Sequence, residues 1–226
     1  MEMITEGVHR VGGGYVSSYI VDGDEGVLLV DTGLPRKHGE IEAGLAEIGR
    51  RPSDVTAILL THAHADHTGG AAHLRDATGA IVVASTGDAP AVRGDAPVPP
   101  PPIFEGALSF LTRLVPGAKP VTVDHEVDET RTHGLPTDFT VLETPGHTPG
   151  HVSYLLDRDG GVLFVGDAAI AKDGAVSRGF MNRSTPEWRA SIAHIAEHDF
   201  AIACFGHSGP LPADASAAFA RFAATF

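Results

Sequence analysis

Apolar positions along this chain come in two patterns that take turns. Short β-branched runs cut by glycine, such as VSSYIVDG (16–23) and GVLLVDTG (26–33), read as strands of a meander. Stretches with apolar residues at helical spacing follow them: Pro35-Arg36-Lys37 opens one that carries Ile41, Leu45 and Ile48 on one face and closes at Gly49. VTAILLTH (55–62) is continuously apolar before its polar end, as expected of a strand buried on both faces, and AIVVAS (80–85) repeats the pattern after a short helix, AAHLRDATG (71–79). The second half has the same rhythm. DFTVLETPG (138–146), HVSYLLD (151–157), GVLFVGD (161–167) and FAIACFGH (200–207) read as strands ending in Gly, Asp, Pro or His. Ser184-Thr185-Pro186-Glu187 is a helix start, with Trp188, Ile192 and Ile195 as its apolar face. Residues 215–226 predict a last helix with Ala215, Phe219, Phe222 and Phe226 in register. Strands alternating with helices in two similar halves predict an α/β fold in which helices cover the outer faces of two mixed sheets.

One segment breaks the rhythm. APVPPPPIFEGALSFLTRLVPG (96–117) begins with a stiff proline run and continues with Phe104, Leu108, Phe110, Leu111 and Leu114. It reads either as a surface connector packing its own aromatics or as a lid over a pocket.

Composition removes several classes. The chain has 226 residues, 42% hydrophobic and 20% charged, so it can bury a core, and fibrous or disordered readings are excluded. A formal charge of −13 disfavours a nucleic-acid partner or a polyanionic membrane surface. The single cysteine, Cys204, lies in an apolar run and is expected to be a buried, inert thiol. No internal disulfide, no secretory signal and no long apolar run point to a cytoplasmic protein with no membrane association.

Histidine changes the picture. There are 13, and THAHADHTGG places His62, His64, Asp66 and His67 within six positions, directly after a strand. His-x-His at a strand end points two imidazoles the same way, while Asp66 and His67 can reach a second point nearby. That is more ligand chemistry than one tetrahedral ion needs from a single loop. Three later loops each carry one further candidate just past a strand: His147 in TPGH, Asp167 in VGD and His207 in FGH. His151, in TPGHTPGH, is read first as a loop residue and second as a support for the ligands. His9, His38, His73, His125, His133, His194 and His198 lack ligand spacing and are expected to be exposed or satisfied locally.

The H-x-H-x-D-H cluster, the later His, the Gly-Asp and the terminal Gly-His, in this order, resemble the metallo-β-lactamase superfamily over nearly the whole chain. The resemblance implies an αββα sandwich with metals at one edge, in a single domain over residues 1–226 that carries the Pro-rich insertion at 96–117. It implies that His62, His64 and His147 bind one metal, that Asp66, His67 and His207 bind a second, and that Asp167 bridges both. Asp31, in VDTG, matches the aspartate that props the metal loop without being a ligand.

Two divalent ions sharing a water generate a bridging hydroxide near neutral pH, with Asp66 placed to orient the nucleophile or take its proton. Two zinc ions suit this donor set, and iron or manganese would also fit. Subgroup patterns narrow the expected reaction. Lactam-cleaving members generally lack the bridging aspartate or use a cysteine ligand, whereas Asp167 is present here. The lactonases that resemble this chain carry a tyrosine soon after that aspartate, where this chain has DAAIAK with Ile170. Glyoxalase-II-like thioesterases share THxHxDH and TPGHTPGH, but the basic C-terminal domain with which they bind glutathione has no room here. The expected substrate is a small ester, thioester or lactone, and a homodimer is allowed for. The alternatives are an iron enzyme resembling persulfide dioxygenases, a β-lactam hydrolase, or a metal-binding module without catalysis.

Overall fold

Which face each apolar residue takes decides the architecture. The computed structural model describes residues 1–12, 14–100, 117–179, 182 and 185–226. The first seven strands, β1 (Glu2–Thr5), β2 (Val8–Gly12), β3 (Ser17–Gly23), β4 (Gly26–Val30), β5 (Val55–Leu59), β6 (Ile81–Ser85) and β7 (His125–Val127), form one sheet in sequence order. Its first half is an antiparallel meander, and from β4 to β7 all pairings are parallel. Further along are β8 (Phe139–Glu143), β9 (Val152–Leu156), β10 (Val162–Gly166), β11 (Ile170–Lys172), β12 (Ala175–Ser177) and β13 (Ile202–Phe205). Four of these make the second sheet, in the order β13-β10-β9-β8, and β11 pairs with β12 as a ribbon. Among the described residues the α-helices are α1 (Gly39–Glu47), α2 (Ala65–Thr68), α3 (Ala71–Thr78), α4 (Ala89–Arg93), α5 (Pro186–Ile195) and α6 (Ala215–Ala223).

The sheets pack face to face as the period-2 alternation dictates. Tyr19, Val21, Val30, Leu59 and Val83 turn inward from the first sheet to meet Val141, Tyr154, Leu156, Val162 and Phe164 of the second. The residues between them face outward. Ile20, Leu29, Ile58 and Val82 pack with Ile41 and Leu45 of α1 and Leu74 of α3, while Leu163, Val165 and Phe205 pack with Trp188, Ile192, Ile195 and Phe219 of α5 and α6. Each such side chain contributes ~1.5–3 kcal/mol on burial. The αββα sandwich is the fold, and VTAILLTH is apolar on both sides because both of its faces are covered.

Two local expectations shift. α1 begins at Gly39, not at Pro35, because Arg36 has φ 67° and Lys37 N–H donates to Leu34 O (3.1 Å) in a closed turn. That turn rests against the bare backbone of Gly69, where a Cβ would collide with Leu34 and Pro35. The last helix ends at Ala223, and Phe226 leaves it to lie against Trp188, ring centroids 5.5 Å apart. Thr185 caps α5 by accepting from Trp188 N–H at 3.1 Å. Ser184 and the apolar part of the expected lid, residues 101–116, lie outside the described residues. Cys204 is buried and unpaired, and burial pushes its thiol pKa up. Among the described residues no helix is long and apolar enough to cross a membrane.

Candidate metal centre

Five loops leave the strands at one edge of the sandwich, and each brings a polar side chain to the same place. The loop after β5 supplies His62 and His64 and runs into α2, which supplies Asp66 and His67; the loops after β8, β10 and β13 supply His147, Asp167 and His207. The loop after β4 supplies Asp31. His62, His64 and His147 present ligand-type atoms within 4.8 Å of one another, and so do the groups His62–His67–Asp167 and Asp66–His67–His207. Asp167 lies between them: Oδ1 is 3.3 Å from His67 Nε2, and Oδ2 is 3.2 Å from His147 Nε2 and 3.1 Å from His207 Nε2. Asp66 Oδ2 lies 3.4 Å from His207 Nε2.

The hydrogen-bond network assigns the histidine tautomers. Thr61 donates its hydroxyl to Asp31 Oδ2 (2.8 Å), so toward His62 Nδ1 (3.0 Å) it offers a lone pair and accepts. His62 is therefore protonated on Nδ1, and its bare Nε2 is buried with no hydrogen-bond partner among the described residues. Asn182 donates from Nδ2 to the carbonyls of Asp167 and Ala168, so its Oδ1 accepts from His147 Nδ1 at 3.0 Å. His64 donates from Nε2 to Pro99 O (2.8 Å), His67 from Nδ1 to Asp31 Oδ2 (2.8 Å), and His207 from Nδ1 to Tyr15 O (2.7 Å). Every one of the five imidazoles spends one N–H on a partner away from the centre and turns its other nitrogen inward. His64 Nδ1 and His147 Nε2 then face each other at 2.9 Å, and two lone pairs at that distance call for a cation or a proton between them.

Charge follows the same division. Burial holds His62 well below the ordinary histidine pKa and brings His147 down to about 4. At His67 and His207 burial opposes the charge but the carboxylates win, so His67 is held well above the ordinary range and His207 rises to about 10. Asp66 is lowered to about 2: burial works against its ionisation, but the hydrogen bond to His207 and the charge on His67 outweigh it. Without a metal, protons on His67 and His207 offset the carboxylates of Asp66 and Asp167. The orphaned His62 Nε2 and Asp167 Oδ1, both buried, fit cations.

The walls of the site hold residues to which the motifs did not point. Asp88 is buried and accepts from Ala63 N (2.9 Å), Thr148 Oγ1 (2.7 Å) and Gly150 N (3.0 Å), joining the His62–His67 loop to the His147 loop. In sequence it reads only as a cap before Ala89-Pro90, and Asn182 has no sequence signal at all. His151 is not a plain loop residue: it is buried, its Nδ1 meets Thr144 Oγ1 at 2.8 Å and its Nε2 accepts from Asp167 N at 3.0 Å. It thus holds the backbone beneath Asp167. Gly206 has to be glycine, since a Cβ there would strike Asp167 Oδ1 and His67 Cε1. Tyr15 is 55% exposed at the rim, its ring 4.8 Å from that of His207.

Several known proteins resemble this chain in sequence or fold. A hydroxyacylglutathione hydrolase of Cereibacter sphaeroides (strain ATCC 17025 / ATH 2.4.3) is 33% identical over 189 residues, 83% of this chain and 58% of that protein. The probable metallo-hydrolase YflN of Bacillus subtilis (strain 168) is 32% identical over 154 residues, 63% of this chain and 55% of that protein. The chain thus spans between half and two thirds of the length of these curated relatives. Among solved structures, BJP-1, a subclass B3 metallo-beta-lactamase of Bradyrhizobium japonicum, superposes with a TM-score of 0.75 at 25% identity, covering 99% of this chain and 89% of that one. A metallo-beta-lactamase family protein of Thermus thermophilus gives 0.72 at 26% identity, covering 99% and 80%. The family model described as Metallo-beta-lactamase superfamily matches residues 11–207, a span that opens in β2 and closes on His207, and the chain belongs to that superfamily.

Proposed function

We propose that this chain is a dinuclear metal-dependent hydrolase that cleaves a small ester, thioester or lactone. His62, His64 and His147 would hold one divalent ion and Asp66, His67 and His207 a second, with Asp167 shared. The observation that carries the reading is the Asp167 carboxylate, whose two oxygens lie 3.1–3.3 Å from the inward nitrogens of His67, His147 and His207. Divalent ions in such a donor set polarise a carbonyl oxygen and bring the pKa of water toward neutrality; zinc suits it, and iron or manganese is compatible. The protein's own groups do the rest. Asp66, ionised at neutral pH, accepts a hydrogen bond from the attacking water and aims it. Asp31, Asn182 and the carbonyls of Pro99 and Tyr15 hold the imidazoles in register, and His151 holds the backbone of Asp167. At the rim the Tyr15 phenol is kept protonated, by burial first and then by Asp66 and Asp167, and is available as a donor to substrate.

Likeness to hydroxyacylglutathione hydrolases supports a thioester; likeness to subclass B3 β-lactamases supports a lactam as the second reading. The test is a panel of acyl-glutathione thioester, aryl ester, homoserine lactone and nitrocefin, run on zinc-, iron- and manganese-loaded protein and after chelation. Thioester, ester or lactone turnover that is lost on chelation and exceeds nitrocefin turnover is expected. Preference for nitrocefin would move the assignment to β-lactams, and oxygen consumption with a persulfide on iron-loaded protein alone would move it to a dioxygenase.

A further inference from the structure

His38, Glu42 and His73 have no shared motif in the sequence, yet the fold assembles them on the outer face of the first sheet. His38 is the residue before α1, Glu42 lies one turn into that helix, and His73 sits in the first turn of α3. The two imidazoles stack with centroids 3.6 Å apart and planes 22° from parallel, and His73 Nε2 is 3.0 Å from Glu42 Oε1. Their ligand-type atoms all fall within 4.8 Å of one another, the same closeness found at the buried centre. His38 and Glu42 are half-buried and His73 is exposed, so an ion could enter from solvent and keep water in its remaining positions.

We propose that these three side chains form a peripheral site for a borderline divalent ion of the Zn²⁺ class, separate from the buried centre. Two neutral imidazoles and one carboxylate are ligands such ions accept, with bonds of ~2.0–2.2 Å in the ring planes, so binding turns the two stacked imidazoles out of parallel and draws the three groups inward. Glu42 at four residues from His38 is on the same helical face, which sets two ligands in place without ordering any loop. The net charge of −13 raises the local concentration of cations. An ion there would tie α1 to α3. α3 follows directly on the loop of Asp66 and His67, and the Gly33–Lys37 turn that packs on Gly69 runs straight into His38. A peripheral ion would therefore brace the outer wall of the metal loop whenever free metal is in excess.

The test counts zinc bound above whatever the buried centre retains, so it does not depend on the proposed reaction. Loaded protein is dialysed against graded free Zn²⁺ and analysed for metal, with thermal unfolding in parallel. One extra saturable equivalent and a rise in Tm with free zinc are expected in the wild type. Both should be lost in His38→Ala/His73→Ala, and the affinity should fall at least tenfold in Glu42→Gln. His73→Gln keeps a donor for Glu42 but not the imidazole, and it should lose the extra ion while retaining the buried metal and the wild-type far-UV spectrum. No extra equivalent in the wild type, or one that survives in the double variant, would overturn the proposal.

Discussion

Asp31 offers the sharpest test of how the centre is held. Its carboxylate is buried and accepts from Thr61 N (2.9 Å), Thr61 Oγ1 (2.8 Å) and His67 Nδ1 (2.8 Å), and its backbone has φ 57°. Alanine would orphan these donors at ~1–3 kcal/mol each and put a non-polar residue in a left-handed conformation for ~1–2 kcal/mol more. The total of roughly 4–11 kcal/mol is comparable with the whole stability of a domain, so Asp31→Ala should unfold readily. Asp31→Asn is more informative, because asparagine tolerates the left-handed backbone and its carbonyl can still accept from Thr61 N–H. Its amide then meets His67 Nδ1–H, donor against donor. The clash is relieved only if His67 carries its proton on Nε2, which removes the inward lone pair. The expected result is a 10–100-fold loss of affinity for one of two ions, with the other within a factor of a few. A chromophoric chelator competing for metal, together with calorimetry of the loaded and stripped forms, reads both effects. Two ions bound at wild-type strength with unchanged stability would refute the idea that Asp31 works through the tautomer of His67.

Asp66→Asn should lower turnover by ~10²–10⁴ with an unchanged far-UV spectrum, since it removes the charged acceptor next to His207; near-normal rates would show that the carboxylate is dispensable. Gly206→Ala should push Asp167 and His67 apart, at a cost of ~1–3 kcal/mol and with reduced metal content, and full metal content would show that the wall yields more than its packing implies. His194 lies 2.6 Å from Glu129, and although partial burial opposes its charge, the pair raises the imidazole pKa. A raised pKa contributes stability below the unfolded value of ~6.5 that is lost as pH climbs through the folded one. The Tm deficit of His194→Ala should thus be larger at pH 5.5 than at 8.5, and at half-exposed positions it should correspond to less than ~1 kcal/mol; an equal deficit at both pH values would assign the contact to packing.

Much of this protein is readable from local sequence. Strands announce themselves because burial on two faces leaves only apolar residues, as in VTAILLTH, and the sandwich follows from strands and helices that each need a partner face. The seven candidate ligands were visible because they follow closely on those strands, and four of them fall within six positions after β5. Local sequence is silent where a residue's role depends on what folds against it. Asp88 and Asn182 act on groups 25 to 62 and 14 to 35 residues away, and His151 becomes a support only because Gly166 and Asp167 lie over it. His38 and His73 are 35 positions apart in sequence and stack only because α1 and α3 cover the same sheet. Which nitrogen of each imidazole faces the centre is likewise a tertiary matter. A histidine carries two equivalent choices in the chain, and only the acceptor that the fold places behind it, whether Asp31, Asn182, Pro99 or Tyr15, removes one of them.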